Sequence, residues 1–501
     1  MALFMGIDIG TSSVKTLLTD ETGRTVAVSH REYDISKPNA LFAEQDMKLI
    51  WEKTRETICE ITAGLGQRTE EIQGISFSGQ MHGLVMVDRN GELIRNAIIW
   101  CDQRASRQTL DVYEVVGEKR YKEITLNDLS SGFLLTSLLW VKENEKWNYE
   151  KIYKVMLPKD YIRYQMCGEI ATDYSDASAT LMFDTRRGEW AWELADQFGM
   201  DHSLFPDCYE SDGTAGAVNV KCAEETGLRE GTPVIYGGGD SIMQQIGNGV
   251  ISEESPWIAN IGTSCSVNCA TQRPVFDRLF RVNTFCHAKK NMWFWMGANL
   301  CGGAALKWLK NNILHMNSYD EMSALADTAE PGSNGLVFLP YLSGSRSPVN
   351  DPDAQGIFFG LTLSHGRAHM TRSVMEGIIL GMKTTFMIFE ESGITTETMI
   401  ASGGGARSDV FLQMEADIFD KPVYIADNHE QSCLGAAITA AVGTGQYKNY
   451  REACREMVRL KDKIVYPRTE NQERYQESYA VYKDLYQTNY ELFQRNRKRI
   501  H

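Results

Sequence analysis

Four short segments carry residues whose types and spacing could do chemistry. The first is Asp8-Ile9-Gly10-Thr11-Ser12. An apolar run ending in Gly, Thr and Ser makes a tight turn with exposed N–H groups. Such turns cradle phosphate oxygens, and the hydroxyls add donors. Asp8, at the end of the run, is placed to hold Mg²⁺ directly or through water. An ordinary hairpin turn would look the same in a single copy. The second segment is Gly237-Gly238-Gly239-Asp240, between the apolar run Val234-Ile235-Tyr236 and a helical stretch from Ser241 to Ile246. Asp240 reads either as a helix cap or as a base that takes the proton of an attacking hydroxyl, as phosphoryl transfer to an alcohol requires. The glycines favour the second reading, because they strip side chains from the approach to the carboxylate.

The third segment is Ser78-Gly79-Gln80-Met81-His82-Gly83. Gln80 and His82 offer the donors and acceptors that a polyol needs on a rigid turn, although a lone histidine is equally at home in a structural role. Trp100, Asp102 and Arg104 follow soon after, and an aromatic face beside a carboxylate and a guanidinium grips sugars. The fourth is Ser402-Gly403-Gly404-Gly405-Ala406, ahead of a helix from Ser408 to Phe419 whose N-terminus could face a nucleotide. It fails as a dinucleotide fingerprint, since Ser408 stands where the third glycine should be. His365 and His369 lack the glutamate of a zinc helix. P-loop and nucleophile-elbow patterns are absent.

These segments must be positioned by strands. Leu3 to Ile9, Val14 to Thr19 and Thr25 to Ser29 read as an antiparallel meander. A helix capped by Asp46 follows, with Met47, Ile50, Trp51, Thr54, Ile58 and Ile61 on one face. Ile72 to Phe77 is the next strand. The arrangement then echoes itself. Residues 257–267 repeat the pattern of residues 5–14, with Gly262 on Gly10, Thr263 on Thr11, Ser264 on Ser12 and Asn260 on Asp8. Further β-rich runs and a helical segment from Gly303 to Leu314 follow the second copy. Duplication into two similar α/β lobes explains this. One carboxylate would then serve the metal, whereas a second would repel the phosphates. The expected division is an N-terminal lobe over 1–248, a C-terminal lobe over 249–467 and a helical tail over 468–501. Tyr475, Tyr479, Tyr482, Tyr486 and Phe493 form a stripe that packs the tail on the body.

Composition narrows the field. The chain has 501 residues and a formal charge of -15, which opposes nucleic-acid binding. Its apolar share of 43% excludes wholesale disorder. The most apolar stretch, Gly377 to Phe389, contains Lys383, so no membrane span is expected. The N-terminal run MALFMGIDIG lacks a basic start and does not read as a signal peptide. Eleven scattered cysteines fit free thiols in the cytoplasm.

Several co-linear blocks then match a known family. They include Gly6 to Ser12, Ser78 to Gly83, Leu157-Pro158-Lys159-Asp160-Tyr161, Gly237 to Asp240, Phe338 to Gly344, Gly356 to Leu361 and Gly403 to Ser408. The chain resembles the FGGY carbohydrate kinases, within the actin/hexokinase/Hsp70 superfamily, and the Gln-Met-His block is most like that of the xylulose kinases. The resemblance implies two RNase-H-like lobes with ATP and a sugar in the cleft between them, and a possible homodimer. It implies Asp240 as catalytic base, and Met81 and His82 as sugar contacts, with Gln80, Trp100, Asp102 and Ser241 in the same site. Asp8 matches the carboxylate near Mg²⁺. Thr11, Ser12, Gly262 and Thr263 match phosphate contacts, and Gly303, Lys307, Gly404, Gly405 and Asp409 fall where relatives hold the nucleotide. Ser241, Gln244, Gln245 and Ser345 depart from the xylulose kinase pattern, so kinases for ribulose, fuculose or erythritol stay in view. Two readings outside the sugar kinases, a nucleotide-driven chaperone or filament protein and a sugar sensor without catalysis, are less well matched.

Overall fold

The computed structural model describes residues 2–500. Its first half is built on β1 (Leu3–Ile9), β2 (Ser13–Asp20), β3 (Thr25–Glu32), α1 (Met47–Leu65) and β4 (Ile72–Gly79). It continues through α2 (Pro158–Cys167), α3 (Tyr174–Ala179), β5 (Thr214–Ala217), β6 (Pro233–Ile235) and α4 (Asp240–Gly247). The side chain of Asp46 caps α1 by accepting from the N–H groups of Lys48 and Leu49. The sheet order is β5-β6-β4-β1-β2-β3. β1 is covered on both faces, which is why its residues before Asp8 read as an apolar run. β3 is the outer strand, and most of its residues face water.

The second half repeats this plan. Its elements are β7 (Trp257–Ile261), β8 (Cys265–Thr271), β9 (Asn283–Cys286), β10 (Trp293–Asn299), α5 (Gly303–Trp308) and α6 (Arg367–Glu391). They are followed by β11 (Met399–Gly403), α7 (Asp409–Phe419), β12 (Val423–Ala426), α8 (Gln431–Gly443), α9 (Tyr450–Met457), β13 (Leu460–Val465) and α10 (Gln472–Ile500). The sheet order is β9-β10-β8-β7-β11-β12-β13. In each sheet the central strand pairs antiparallel with the next strand in sequence and parallel with a later one: β1 with β2 and β4, β7 with β8 and β11. A further parallel strand and an antiparallel edge complete each sheet. The duplication read from the Gly-Thr-Ser echo is therefore a duplication of topology.

The helices do not respect the boundary expected at Asn248 and Gly249. α8 lies in the second half of the sequence but packs on β1, β4 and α4 of the first. Its sequence, rich in Ala and Gly, lets backbones approach closely. The closest approach joins Gly435 of α8 to Gly247 of α4. A Cβ on Gly435 would strike the Met243 carbonyl, and one on Gly247 would strike the Gln431 carbonyl. Met243, Ile246, Leu434, Ile438 and Cys454 bury their side chains around this crossing.

The tail packs as its aromatic stripe predicts. Tyr475, Tyr482 and Phe493 are buried, and the Tyr475 hydroxyl donates to Glu376 of α6 at 2.9 Å. Among the described residues no helix is long and apolar enough to cross a membrane, and the apolar run at 377–389 lies inside α6. All eleven cysteines are free thiols.

Candidate active site

The carboxyl end of β1 opens into the turn at residues 10–12. This turn is braced from four sides. The Tyr33 hydroxyl donates to the Gly10 carbonyl at 2.6 Å, and Gln45 Nε2 donates to the Thr11 carbonyl at 2.7 Å. Gln80 Nε2 donates to Gln45 Oε1 at 2.6 Å, and Trp100 Nε1 donates to Thr11 Oγ1 at 3.0 Å. The N–H groups of Thr11 and Ser12 have no partner among the described residues, and Ser12 is exposed. That leaves two donors for an anion. The duplicated turn matches it: Thr263 and Ser264 are exposed, and their N–H groups are likewise unpartnered.

Asp8 and Asp240 meet beside the first turn. Ser78 Oγ donates to Asp8 Oδ1 at 2.6 Å. Burial raises the Asp8 carboxyl against the pull of Ser78 and Lys15. Asp240 begins α4, where its Oδ1 accepts from the Ser241 N–H at 2.7 Å. Its side chain is partly exposed, and Oδ2 has no partner. Burial first and the Asp8 charge second push its carboxyl up from 3.8 to about 7. Asp240 is not the helix cap, because Gly239 occupies that position.

The glycines before Asp240 serve packing rather than ligand approach, which corrects the reading from sequence. Gly237 has φ +76 and lies on the Phe77 backbone. A Cβ on Gly239 would press on Met81 and Asp176. Behind Gly239 and Gly79 lies a sealed charge cluster, in which Lys159 contacts Asp160 at 2.6 Å, Asp173 at 2.9 Å and Asp176 at 3.1 Å. The Leu-Pro-Lys-Asp-Tyr block is thus a buttress for both loops.

On the other side of the carboxylates, His82 sits at φ +76, a strained conformation for a residue with a side chain. Its ring stacks on Phe133 with centroids 3.8 Å apart. Nδ1 lies 2.7 Å from the Ala179 carbonyl, which can only accept, so Nδ1 carries the proton. Burial lowers the imidazole to about 3. The ring is therefore neutral, and Nε2 is a bare acceptor for a hydroxyl. Met81 is buried beside Gly239, and Trp100 and Ser241 are partly exposed.

Two expected sugar contacts have other partners. Gln80 is 1% exposed and spends its amide on Gly10 and Gln45. Asp102 is fully enclosed, and its oxygens accept from Arg104 and the Ala43 N–H. Both residues position the site rather than face it. Gln245 is also sealed and Gln244 only partly exposed, so Gln245 offers a sugar nothing.

Of the residues expected to hold the nucleotide, Gly404 is exposed and Gly405 packs on Ile261 at the end of β7. Lys307 is exposed on α5. Gly303 departs from expectation: its N–H donates to the Gly262 carbonyl at 2.8 Å, so it ties α5 to the second turn. Asp409 pairs with Lys463 at 2.6 Å, so its charge is already matched. Sequence reasoning missed Phe133, Gln45, Tyr33 and Arg346. The last of these lies over Trp100 and Phe133, with its guanidinium carbon 5.7 and 5.4 Å from their ring centroids.

The donor chemistry fits a hard divalent cation. Asp8 and Asp240 supply carboxylate oxygens, and their mutual repulsion would fall with a cation nearby. Among the described residues no group of three or more His, Cys, Asp or Glu side chains could hold a metal. Mg²⁺ tolerates this, because it keeps waters and takes phosphate oxygens beside one or two carboxylates.

Comparison with known proteins gives the family. Residues 3–247 match the N-terminal domain, and residues 258–444 the C-terminal domain, of the FGGY family of carbohydrate kinases. A xylulose kinase of Bacillus subtilis is 35% identical, covering 97% of each chain. A gluconokinase of the same organism is 32% identical over 91% of this chain and 90% of its own. The crystal structure of a ligand-bound xylulose kinase from Lactobacillus acidophilus superposes with a TM-score of 0.92, at 26% identity and 98% coverage of both chains. With full-length similarity and both domains in order, the chain belongs to the FGGY family of carbohydrate kinases.

Proposed function

We propose that this protein transfers the γ-phosphate of ATP to the terminal hydroxyl of a ketopentose, with D-xylulose converted to D-xylulose 5-phosphate. The observation that carries the reading is Asp240. Its Oδ2 is unpartnered on a partly exposed side chain, and burial and the Asp8 charge push its carboxyl up to about 7, where a general base works best. The sugar hydroxyl lies against Asp240 Oδ2, and His82 Nε2 accepts from a second hydroxyl. The two Gly-Thr-Ser turns bind the phosphates through their unpartnered N–H groups. Mg²⁺ held at Asp8, directly or through water, would neutralise charge on the phosphate oxygens. Asp240 takes the hydroxyl proton as the oxygen attacks phosphorus, and ADP leaves. The xylulose kinases among the relatives support the choice of sugar. Oxygen donors and unpaired N–H groups alone would suit other ketoses.

ADP release measured against a panel of pentuloses and polyols tests the assignment. D-xylulose should give the highest kcat/KM. A higher value for ribulose or a polyol would move the assignment within the family. His82→Ala removes the bare acceptor and the stack on Phe133. It should raise the sugar KM about tenfold or more and leave the ATP KM nearly unchanged, because one lost hydrogen bond in a closed site has that effect. Equal rises in both constants would remove His82 from the sugar site.

A further inference from the structure

Arg346 is the anomaly of the cleft. It belongs to the second half of the sequence, in the loop after Tyr341, yet its guanidinium rests between Trp100 and Phe133 of the first half. It makes no hydrogen bond or ion pair through its guanidinium among the described residues, and the side chain is mostly enclosed. Other enclosed arginines are matched: Arg104 with Asp102 and Glu44, Arg163 with Asp160, and Arg372 with Glu376. A half-buried cation with open donors and no counter-charge is placed to meet a ligand that carries paired oxygens. The aromatic planes hold the guanidinium in place but leave its N–H donors unsatisfied.

Its neighbours locate it along the substrate. Its charge acts on His82 and Cys101. Arg346 lies over the same Phe133 ring on which His82 stacks, which places it on the His82 side of the site. A planar fork of donors there matches two oxygens held side by side. A second tie between the halves lies close by, where Asn350 Nδ2 donates to Asp128 Oδ2 at 3.0 Å.

We propose that Arg346 binds substrate directly across the cleft and sets specificity, by taking a paired-oxygen group of the substrate on the His82 side of the site. That group is the α-hydroxy ketone of a ketose or the carboxylate of a sugar acid, which share this acceptor geometry. The inference rests on the sugar-kinase reading above. It also gives the cleft a reason to close on sugar, since the residue and its aromatic shelf come from different halves.

The test uses the full chain as wild type, Arg346→Gln and Arg346→Lys. Titration calorimetry with D-xylulose and with D-gluconate, without nucleotide, reads binding independently of turnover. Arg346→Gln should weaken binding of the preferred ligand about tenfold to a hundredfold, the usual loss for a hydrogen bond to a charged group. Arg346→Lys should recover part of it, because a point charge lacks the fork. In turnover the sugar KM should rise while the ATP KM changes less than about threefold. A larger loss for gluconate than for xylulose would identify the carboxylate as the natural partner, and the reverse would identify the ketose end. Unchanged binding of both ligands in a variant that melts like the wild type would overturn the proposal. So would parallel rises in sugar and ATP KM. If Arg346→Gln fails to fold, Arg346→Lys carries the same readings. A wild type that binds sugar but turns over no panel member would sink the kinase reading while still scoring Arg346.

Discussion

Asp240→Asn should fold, bind sugar, and lose about two to four decades of kcat, the range that a positioned base contributes. The amide oxygen can still accept from the Ser241 N–H, so the first turn of α4 keeps its geometry. The variant should also change stability with a defined sign. The Asp240 carboxyl is raised from 3.8 to about 7, by burial first and by Asp8 second. A raised acid is stabilising in its protonated form below the unfolded value of about 4, and that contribution is lost as pH rises through about 7. Asn cannot ionise. Asp240→Asn should therefore melt above the wild type at pH 8 and level with it at pH 4. In the wild type, kcat/KM should climb as pH rises through about 7 and then flatten, while the variant stays low throughout. Near-normal turnover would falsify the role of Asp240 as base. Equal melting at both pH values would mean that neither burial nor the Asp8 charge raises the Asp240 carboxyl in the folded protein.

Gly435→Ala carries the second large effect. The new methyl group would meet the Met243 carbonyl, which is backbone and cannot rotate away. α4 and α8 must separate, and Asp240 sits at the head of α4. Overpacking a tight contact costs about 1–3 kcal/mol. The melting temperature should fall by several degrees, as a loss of that size implies for a chain this long. Turnover should fall as well, because Asp240 moves. Gly64→Ala on α1 is the control: nothing lies within 4 Å of its added carbon, and alanine favours helix. It should melt at or slightly above the wild type. Should Gly435→Ala melt with the wild type, the helix crossing is looser than described.

The difference between these two residues marks how far the sequence could be read. Asp8, the Gly-Thr-Ser turns and the strands before them are local features, set by a few neighbours in the chain, and their echo exposed the duplicated sheets. Asp240 stood out through the three glycines before it, although those glycines turn out to pack on neighbouring backbone and side chains. Gln80, Asp102 and Gly303 mark where local reading stops. Their types allow ligand contact, but they have partners, Gln45, Ala43 and Gly262, that come from elsewhere in the fold. The glycines at 237–239 and 435 answer to backbones distant in sequence, which no local pattern encodes. Arg346 left no local signal, because its aromatic shelf, Trp100 and Phe133, lies more than two hundred residues earlier in the chain.

The position of α8 bears on how the chain is made. The underside of the first sheet is covered by residues 431–443, which leave the ribosome after nearly nine-tenths of the 501 residues have been synthesised. Until then β1 and β4 present an apolar face with nothing upon it. The first half, produced on its own, should therefore expose that apolar face and aggregate, which expression of residues 1–248 alone would check. Supplying residues 427–457 in trans, or moving them to the front of a permuted chain, should let that half fold by itself.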